Sequence, residues 1–349
     1  MHGAKMGYYG PLRNLMWQKI PVLQGTTMLS PGLILLQERL DGLVNRRRAP
    51  PEVRSRSDGL ALARHYRDYL ESDPSLRQSR FDGTQAPETR LDYYDRLRDR
   101  LERAGVQVVD APIRLSEFRA WLRRFAVLDR FYRRSNDIWI EKCLEHYLVD
   151  RELGLSPNDR YVDVASAGSP WARVLRHCGV EAYRLDLIYR NGRNGINIGG
   201  DAVRTGLSDG FVRSVSTQCA FELFYGDTDR AFIEEVARIL DSGGLGAVTP
   251  LYLDDAHFVL HSPRALPPQG SEEPGAARVW RDDGVPAPYS RHYSPEAFVE
   301  RIATRLPAGL GCRVVYTPNL GEVMAAYPGQ RIYNFFTLVL ERSGGPGSA

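Results

Sequence analysis

Residues 160–179, RYVDVASAGSPWARVLRHCG, decide the fold class. Tyr161 to Ala165 is a short apolar run of the kind that forms a buried strand. Trp171, Val174, Leu175 and Cys178 then recur at i, i+3, i+4 and i+7, one face of a helix that Gly179 closes. Between them, Val164 to Ser169 is a turn of small residues. Strand, turn and helix make one repeating unit of an α/β protein.

Toward the carboxyl terminus the alternation continues. Ala182 to Ile188 is a second strand, Gly195 to Ile198 a short third and Ser214 to Phe221 a fourth. Asp227 or Thr228 caps a helix carrying Phe232, Ile233, Val236 and Leu240, which Gly243-Gly244 ends before a fifth strand, Leu245 to Tyr252. Such connections make the sheet largely parallel. Ser294 caps and Pro295 starts a further helix with Phe298, Val299, Ile302 and Leu306 on one face. Cys312 to Tyr316 and Ile332 to Leu340 are strands with no helical period between them, so they close the sheet as an antiparallel hairpin. The expectation for 155–342 is a Rossmann-like α/β domain with a seven-stranded, mostly parallel sheet. Within it, 262–290 is rich in proline, glycine and charge and reads as an irregular insertion or lid. Residues 343–349 read as a disordered tail.

Toward the amino terminus the pattern is helical. Leu91, Tyr94, Leu97 and Leu101 share a face, as do Phe118, Trp121, Leu122, Phe125 and Leu128. Ser116 is placed to cap the second of these helices. Ile138 to Leu148 carries another stripe through Ile140, Cys143, Leu144, Tyr147 and Leu148. Residues 1–154 are therefore expected to form a helical accessory or cap region, with the boundary at the turn formers of Leu155 to Asp159.

Composition narrows the classes. With 349 residues there is room for a Rossmann-like domain and a smaller second unit. A hydrophobic share of 43% with 26% charged residues is globular composition, and no run approaches the ~20 apolar residues of a membrane span. The opening MHGAKMGYYGPLRNLMW lacks the apolar core of a secretory signal, so the cytoplasm is the expected location. Lysine occurs only at Lys5, Lys19 and Lys142, and despite the run Arg46 to Arg48 the charges interleave to a net +3, which argues against nucleic acid as a partner. Cys143, Cys178, Cys219 and Cys312 lack metal-ligand spacing, so no metal is expected.

The strand-helix units, the closing hairpin and the phrase EVARILDSGG, residues 235–244, resemble the class I S-adenosylmethionine-dependent methyltransferases over about Arg160 to Arg342. The resemblance implies that Asp163 is the acid of strand one. It also implies that the loop with Ala165, Ser166 and Gly168 approaches the methionine part of the cofactor. The family pattern D-x-G-x-G-x-G is degenerate here: its glycine positions read Ala165, Ala167 and Ser169, with Gly168 displaced. Asp186 takes the place of the carboxylate that binds the ribose hydroxyls, a vicinal diol suited to charged acceptors. Asp201 and Ala202 fall beside the adenine, and Cys219 beneath the methyl-donating sulfur. Glu222 is placed to orient or deprotonate an acceptor. His257 and His292, imidazoles flanking the expected substrate mouth, are the other candidate catalytic residues. His146 is placed to cover the cofactor or to bond between helices.

The implied function is a bacterial-type S-adenosylmethionine-dependent methyltransferase acting on oxygen in a glycan or other small-molecule acceptor, with homo-oligomerisation left open. The alternative is a methyltransferase-like binding or scaffold module without catalysis. A nicotinamide-dependent oxidoreductase would need G-x-G-x-x-G at the first turn and leaves the hairpin unexplained.

Overall fold

The computed structural model describes residues 31–45, 56–78, 91–282 and 284–344. The opening segment, the Arg46 to Arg48 run and residues 345–349 of the expected tail lie outside them. From Pro31 onward the described chain packs as one compact unit.

In chain order the elements begin with α1 (Pro31–Asn45), α2 (Arg56–Glu71), β1 (Arg77–Gln78), α3 (Leu91–Arg103) and β2 (Val108–Asp110). Then come α4 (Leu115–Arg124), α5 (Ala126–Tyr132), α6 (Trp139–Leu153), β3 (Arg160–Val164), α7 (Trp171–His177), β4 (Glu181–Asn194), β5 (Asn197–Gly199) and β6 (Val212–Gln218). They are followed by α8 (Thr228–Ile239), β7 (Leu240–Thr249), β8 (Phe258–His261), β9 (Ala277–Arg281), β10 (Ser290–His292), α9 (Pro295–Arg301), β11 (Leu310–Tyr316), α10 (Leu320–Ala326) and β12 (Phe336–Arg342).

The main sheet has eight strands in the order β2-β11-β12-β7-β6-β3-β4-β5. β3 lies parallel to β4 and β6, and β6 to β7, while β12 runs antiparallel to both β7 and β11. Tyr161, Val162, Asp163 and Val164 of β3 are all buried, as a central parallel strand covered on both faces requires. The carboxyl ends of β3, β4, β5, β6 and β7 therefore share one edge, where α/β sheets place ligands.

Several expectations are corrected. The sheet gains an eighth strand, β2, from the region read as helical, because Val108 to Asp110 pairs with Val314 to Tyr316. A helix, α10, does separate the last two strands; with seven residues it is too short for a periodic signal, though Leu320, Val323 and Met324 are buried at helical spacing. The segment 262–290 is not wholly irregular, since β9 pairs with β8 and β1 in a second sheet ordered β1-β9-β8-β10. α4 starts at Leu115 with Arg114 at its cap position and no side-chain cap, so Ser116 lies inside the helix. The stripe from Phe118 to Leu128 is split between α4 and α5 at Phe125.

The fifth strand starts at Leu240, directly after α8, so Gly243-Gly244 lies within it. β4 continues past Ile188 to Asn194, and its far end folds against β5, with Arg193 opposite Ile198 and Asn194 opposite Asn197. That fold-back requires glycine at 199, where a Cβ would lie 1.9 Å from the Arg190 carbonyl oxygen. Ser294 caps α9 as expected, its hydroxyl accepting from the Ala297 amide at 3.1 Å.

Candidate active site

The turn after β3 adopts the backbone its sequence makes costly. Ala165 and Ala167 have φ of 55° and 47°, and Gly168 has 96°. A left-handed conformation costs a residue with a Cβ roughly 1–2 kcal/mol. The two alanines thus hold the shape that glycine adopts freely, at the positions where the glycine pattern is missing. Asp186, at the carboxyl edge on β4, fastens this turn: its Oδ2 accepts from the Ala167 amide at 2.7 Å and its Oδ1 from the Ile188 amide at 3.0 Å. Ser166 donates its amide to the Leu185 carbonyl at 3.3 Å, tying the turn to β4 a second time.

Asp163 is 1% exposed, and its Oδ2 has no hydrogen-bond partner among the described residues. Burial pushes its carboxyl up to about 8; nearby Arg184 opposes this, and Asp186 and Glu145 reinforce it. Arg184 is itself buried, donating to Asn197 Oδ1 at 2.6 Å, to the Ser169 carbonyl at 3.0 Å and to Glu38 of α1. Glu38 also takes Arg173 of α7 at 2.6 Å.

Ala165, Asp186, Asp201 and Ala202 line one cleft of about 250 Å³ at this edge, with Leu223, Phe224 and Tyr225 forming the opposite wall. Asp201 Oδ1 accepts from the Val203 amide at 3.1 Å, which fixes the turn after β5. Cys219, at φ 51°, follows β6, its Sγ 3.9 Å from the Tyr252 hydroxyl. Glu222 is buried in the turn Phe221–Leu223. Gly168, Ser166, Asp163, Cys219, Glu222, His257 and His292 are not part of the cleft lining.

His257 and His292 belong to a different set of contacts. His257 lies with Nδ1 3.0 Å from the His292 carbonyl and Nε2 2.9 Å from Glu273 Oε1. The His292 ring stacks on Phe258 with centroids 4.7 Å apart. His146 bonds between helices: its Nε2 is 2.9 Å from the Tyr132 hydroxyl of α5, and burial lowers its ring to about 3. It stays neutral.

On α6 sequence reasoning singled out His146 but missed the polar row to which it belongs. Glu141, Lys142, Glu145 and His146 fall at i, i+1, i+4 and i+5, and both glutamates are at most 2% exposed. Lys142 Nζ lies 2.7 Å from Glu145 Oε1. Glu141 Oε2 accepts from the Tyr333 amide at 3.0 Å, while burial, then Glu145, push its carboxyl up to about 8. The available signal was EKCLEH, with Glu141, Lys142, Glu145 and His146 inside a stretch, Trp139 to Val149, that is otherwise apolar and leaves them no solvated face.

The strand order from β5 to β11, with β12 reversed between β7 and β11, is a mostly parallel sheet closed by an antiparallel strand. The chain has a Rossmann-like α/β fold. No protein-family model and no curated protein matches the sequence. Among solved structures, the chain is similar to the methyltransferase complexed with the Haloferax volcanii Trm112 activator (16% identity, 67% of this chain and 99% of that one, TM-score 0.39). It is also similar to Burkholderia thailandensis 1,6-didemethyltoxoflavin-N1-methyltransferase with bound S-adenosylhomocysteine (13% identity, 68% and 94% covered, TM-score 0.38). A third similar structure is the [4+2]-cyclase SpnF (17% identity, 60% and 84% covered, TM-score 0.35).

The far wall of the cleft is held from the second sheet. Arg291 of β10, fully buried, donates to the Phe224 and Gly226 carbonyls at 2.7 Å each and to Glu273 Oε2 at 2.6 Å. Its Nη1 also lies 2.8 Å from Asp229 Oδ2 of α8. Arg301 of α9 adds bonds to Asp229 and to the Gly226 carbonyl. Burial alone would raise Glu273, but His257, Arg291 and Tyr289 hold its carboxyl down at about 2. The donors to residues 224 and 226, Arg291 and Arg301, follow the segment 262–290, which contributes Glu273 as the carboxylate on Arg291. Among the described residues no metal-binding group of His, Cys, Asp or Glu occurs, and no helix is long and apolar enough to cross a membrane.

Proposed function

We propose that this chain binds S-adenosylmethionine in the cleft between Asp186 and Asp201 and transfers its methyl group to a small-molecule acceptor. The observation that carries the reading is the convergence of Ala165, Asp186, Asp201 and Ala202, from three separate strand ends, on one cleft.

The residues fit the cofactor. Two carboxylates on one cleft suit the ribose diol and the adenine amine, both hydrogen-bond donors. A cavity of about 250 Å³ suits the nucleoside half, since pockets for whole drug-sized ligands start near ~300 Å³. Beyond Ala165 the buried, unpartnered Asp163 oxygen offers an acceptor to the ammonium of the methionine half. When bound, the cofactor supplies a methyl group on a sulfonium, which leaves by in-line displacement. The protein's task is then to place an acceptor near ~3 Å on that line and exclude water. O-methylation of a glycan or other small molecule, expected from the sequence, is one chemistry this reading accommodates.

The test is isothermal titration with S-adenosylmethionine and S-adenosylhomocysteine, using NAD as control and Asp186→Ala as variant. Both adenosyl ligands should bind, NAD should give no heat, and the variant should lose about tenfold or more in affinity, or about 1.4 kcal/mol. No binding by folded protein would refute the reading and leave the noncatalytic module.

A further inference from the structure

The polar face of α6 is unfinished. Glu141 Oε1, His146 Nδ1 and Asp163 Oδ2 are buried without a hydrogen-bond partner among the described residues. Natural proteins leave few such atoms, and each calls for a cause such as a ligand or a catalytic role. The charges are unfinished too. Lys142, the cation beside Glu141, is paired with Glu145, and Arg184, the cation beside Asp163, is shared with Glu38. Both unpaired carboxyls are consequently held up to about 8, chiefly by burial. A positively charged ligand would relieve this.

The residue that holds the same carboxyl is a tyrosine. The Tyr333 amide is the donor to Glu141, and the Tyr333 ring stacks with Tyr252, centroids 6.1 Å apart and 26° between planes. Tyr252 in turn reaches Cys219, the residue after β6, and interacts with Lys142. A carboxylate beside tyrosine faces is the combination that binds ammonium groups by ion pairing and cation–π attraction. The position is also right: the loop that starts at Cys219 continues into the cleft wall at Leu223 to Tyr225.

Resting on the methyltransferase reading above, we propose that the face of α6 around Glu141 is the acceptor subsite and that it takes an amine, its ammonium lodged between Glu141 and the Tyr252–Tyr333 pair. The bound ammonium gives one proton to Glu141. Its freed nitrogen lone pair then forms the N–CH3 bond as the S–CH3 bond breaks, with the bonding pair staying on sulfur. The positive charge passes from the sulfonium to the methylated nitrogen, and S-adenosylhomocysteine remains. A buried carboxyl at about 8 is matched to an alkylammonium, whose ordinary value is near ~10. An aliphatic hydroxyl is far harder to deprotonate.

The full chain, saturated with S-adenosylhomocysteine, is titrated calorimetrically with benzylamine and, in parallel, benzyl alcohol. Benzylamine should bind at least about tenfold more tightly, as expected of a desolvated ion pair with aromatic contact. Glu141→Gln should abolish that preference while leaving S-adenosylhomocysteine affinity unchanged within about twofold, and Tyr252→Leu should weaken benzylamine in the same way. Equal binding of the two probes, no benzylamine binding below about 10 mM, or a preference that survives Glu141→Gln would each overturn the assignment. Tyr252→Leu decides the matter should Glu141→Gln fail to fold. If S-adenosylhomocysteine itself does not bind, the cofactor reading fails, and benzylamine titrated onto the ligand-free protein still decides the amine subsite.

Discussion

Replacing Arg291 by methionine probes the link between the second sheet and the cleft. Methionine keeps much of the side-chain volume and removes the charge and every donor. Asp229 would retain Tyr293 and Arg301, and Glu273 would retain Tyr289 and His257. Two carboxylates at most 2% exposed would then share Arg301 as their nearest arginine. The Gly226 carbonyl keeps Arg301, but the Phe224 carbonyl loses its Arg291 donor. Removing one partner of a buried ion pair costs about 3–5 kcal/mol, a large part of the ~5–15 kcal/mol that holds a typical domain together. Urea denaturation should show a loss of that size. Arg96→Met, which breaks the exposed pair with Asp92 and a distant contact over the Tyr93 ring, should stay within about 0.5 kcal/mol of the parent. At temperatures where Arg291→Met remains folded, S-adenosylhomocysteine should bind more weakly, because the wall at Phe224 is no longer tied down. A loss below about 1 kcal/mol, or one equal to that of Arg96→Met, would refute the view that this network braces the cleft.

Two further outcomes follow from the turn and the buried acid. Ala165→Gly and Ala167→Gly relieve about 1–2 kcal/mol of left-handed strain each, against about 0.4–1 kcal/mol of added freedom in the unfolded chain. Each should therefore stabilise by up to about 1.6 kcal/mol in urea, and a clear loss at both would show that the turn does not hold φ of 55° and 47°. Asp163 has a folded value of about 8, above its ordinary value near 4, so its protonated form favours the fold. That contribution is complete below about pH 4 and is lost as pH rises toward about 8. Asp163→Asn should flatten the decline in urea midpoint between pH 5 and pH 8 in the ligand-free protein; parallel curves for variant and parent would exclude the assignment.

Much of the fold was legible because it rests on local periodicity. Tyr161 to Val164, the i, i+3, i+4 spacing after Trp171, and the turn residues at Gly179 and Ser294 each specify their element without reference to distant residues. Two residues of the cleft lining were legible for a related reason: Asp186 lies on β4 level with the end of β3, Asp201 follows β5, and the sheet brings these positions to one edge. What local pattern could not carry was missed. α10 is too short to show a period, and β2 and β9 are strands only because partners far along the chain pair with them. His257 and His292 drew notice by residue type, yet their contacts lie in the brace rather than in the cleft lining.

The sequence by itself determined the α/β alternation, the reversed final strand, the small-residue turn after β3 and the carboxylates at the strand ends. Each is written in composition and spacing over a few residues. The tertiary structure alone decided which buried charges are paired. Glu38 meets Arg184 across 146 positions and Arg291 meets Phe224 across 67, and no periodicity connects such residues. It also left Glu141 and Asp163 without a matching cation. Burial is a property of the assembled layers, and it turns an ordinary carboxylate into a group that seeks a ligand.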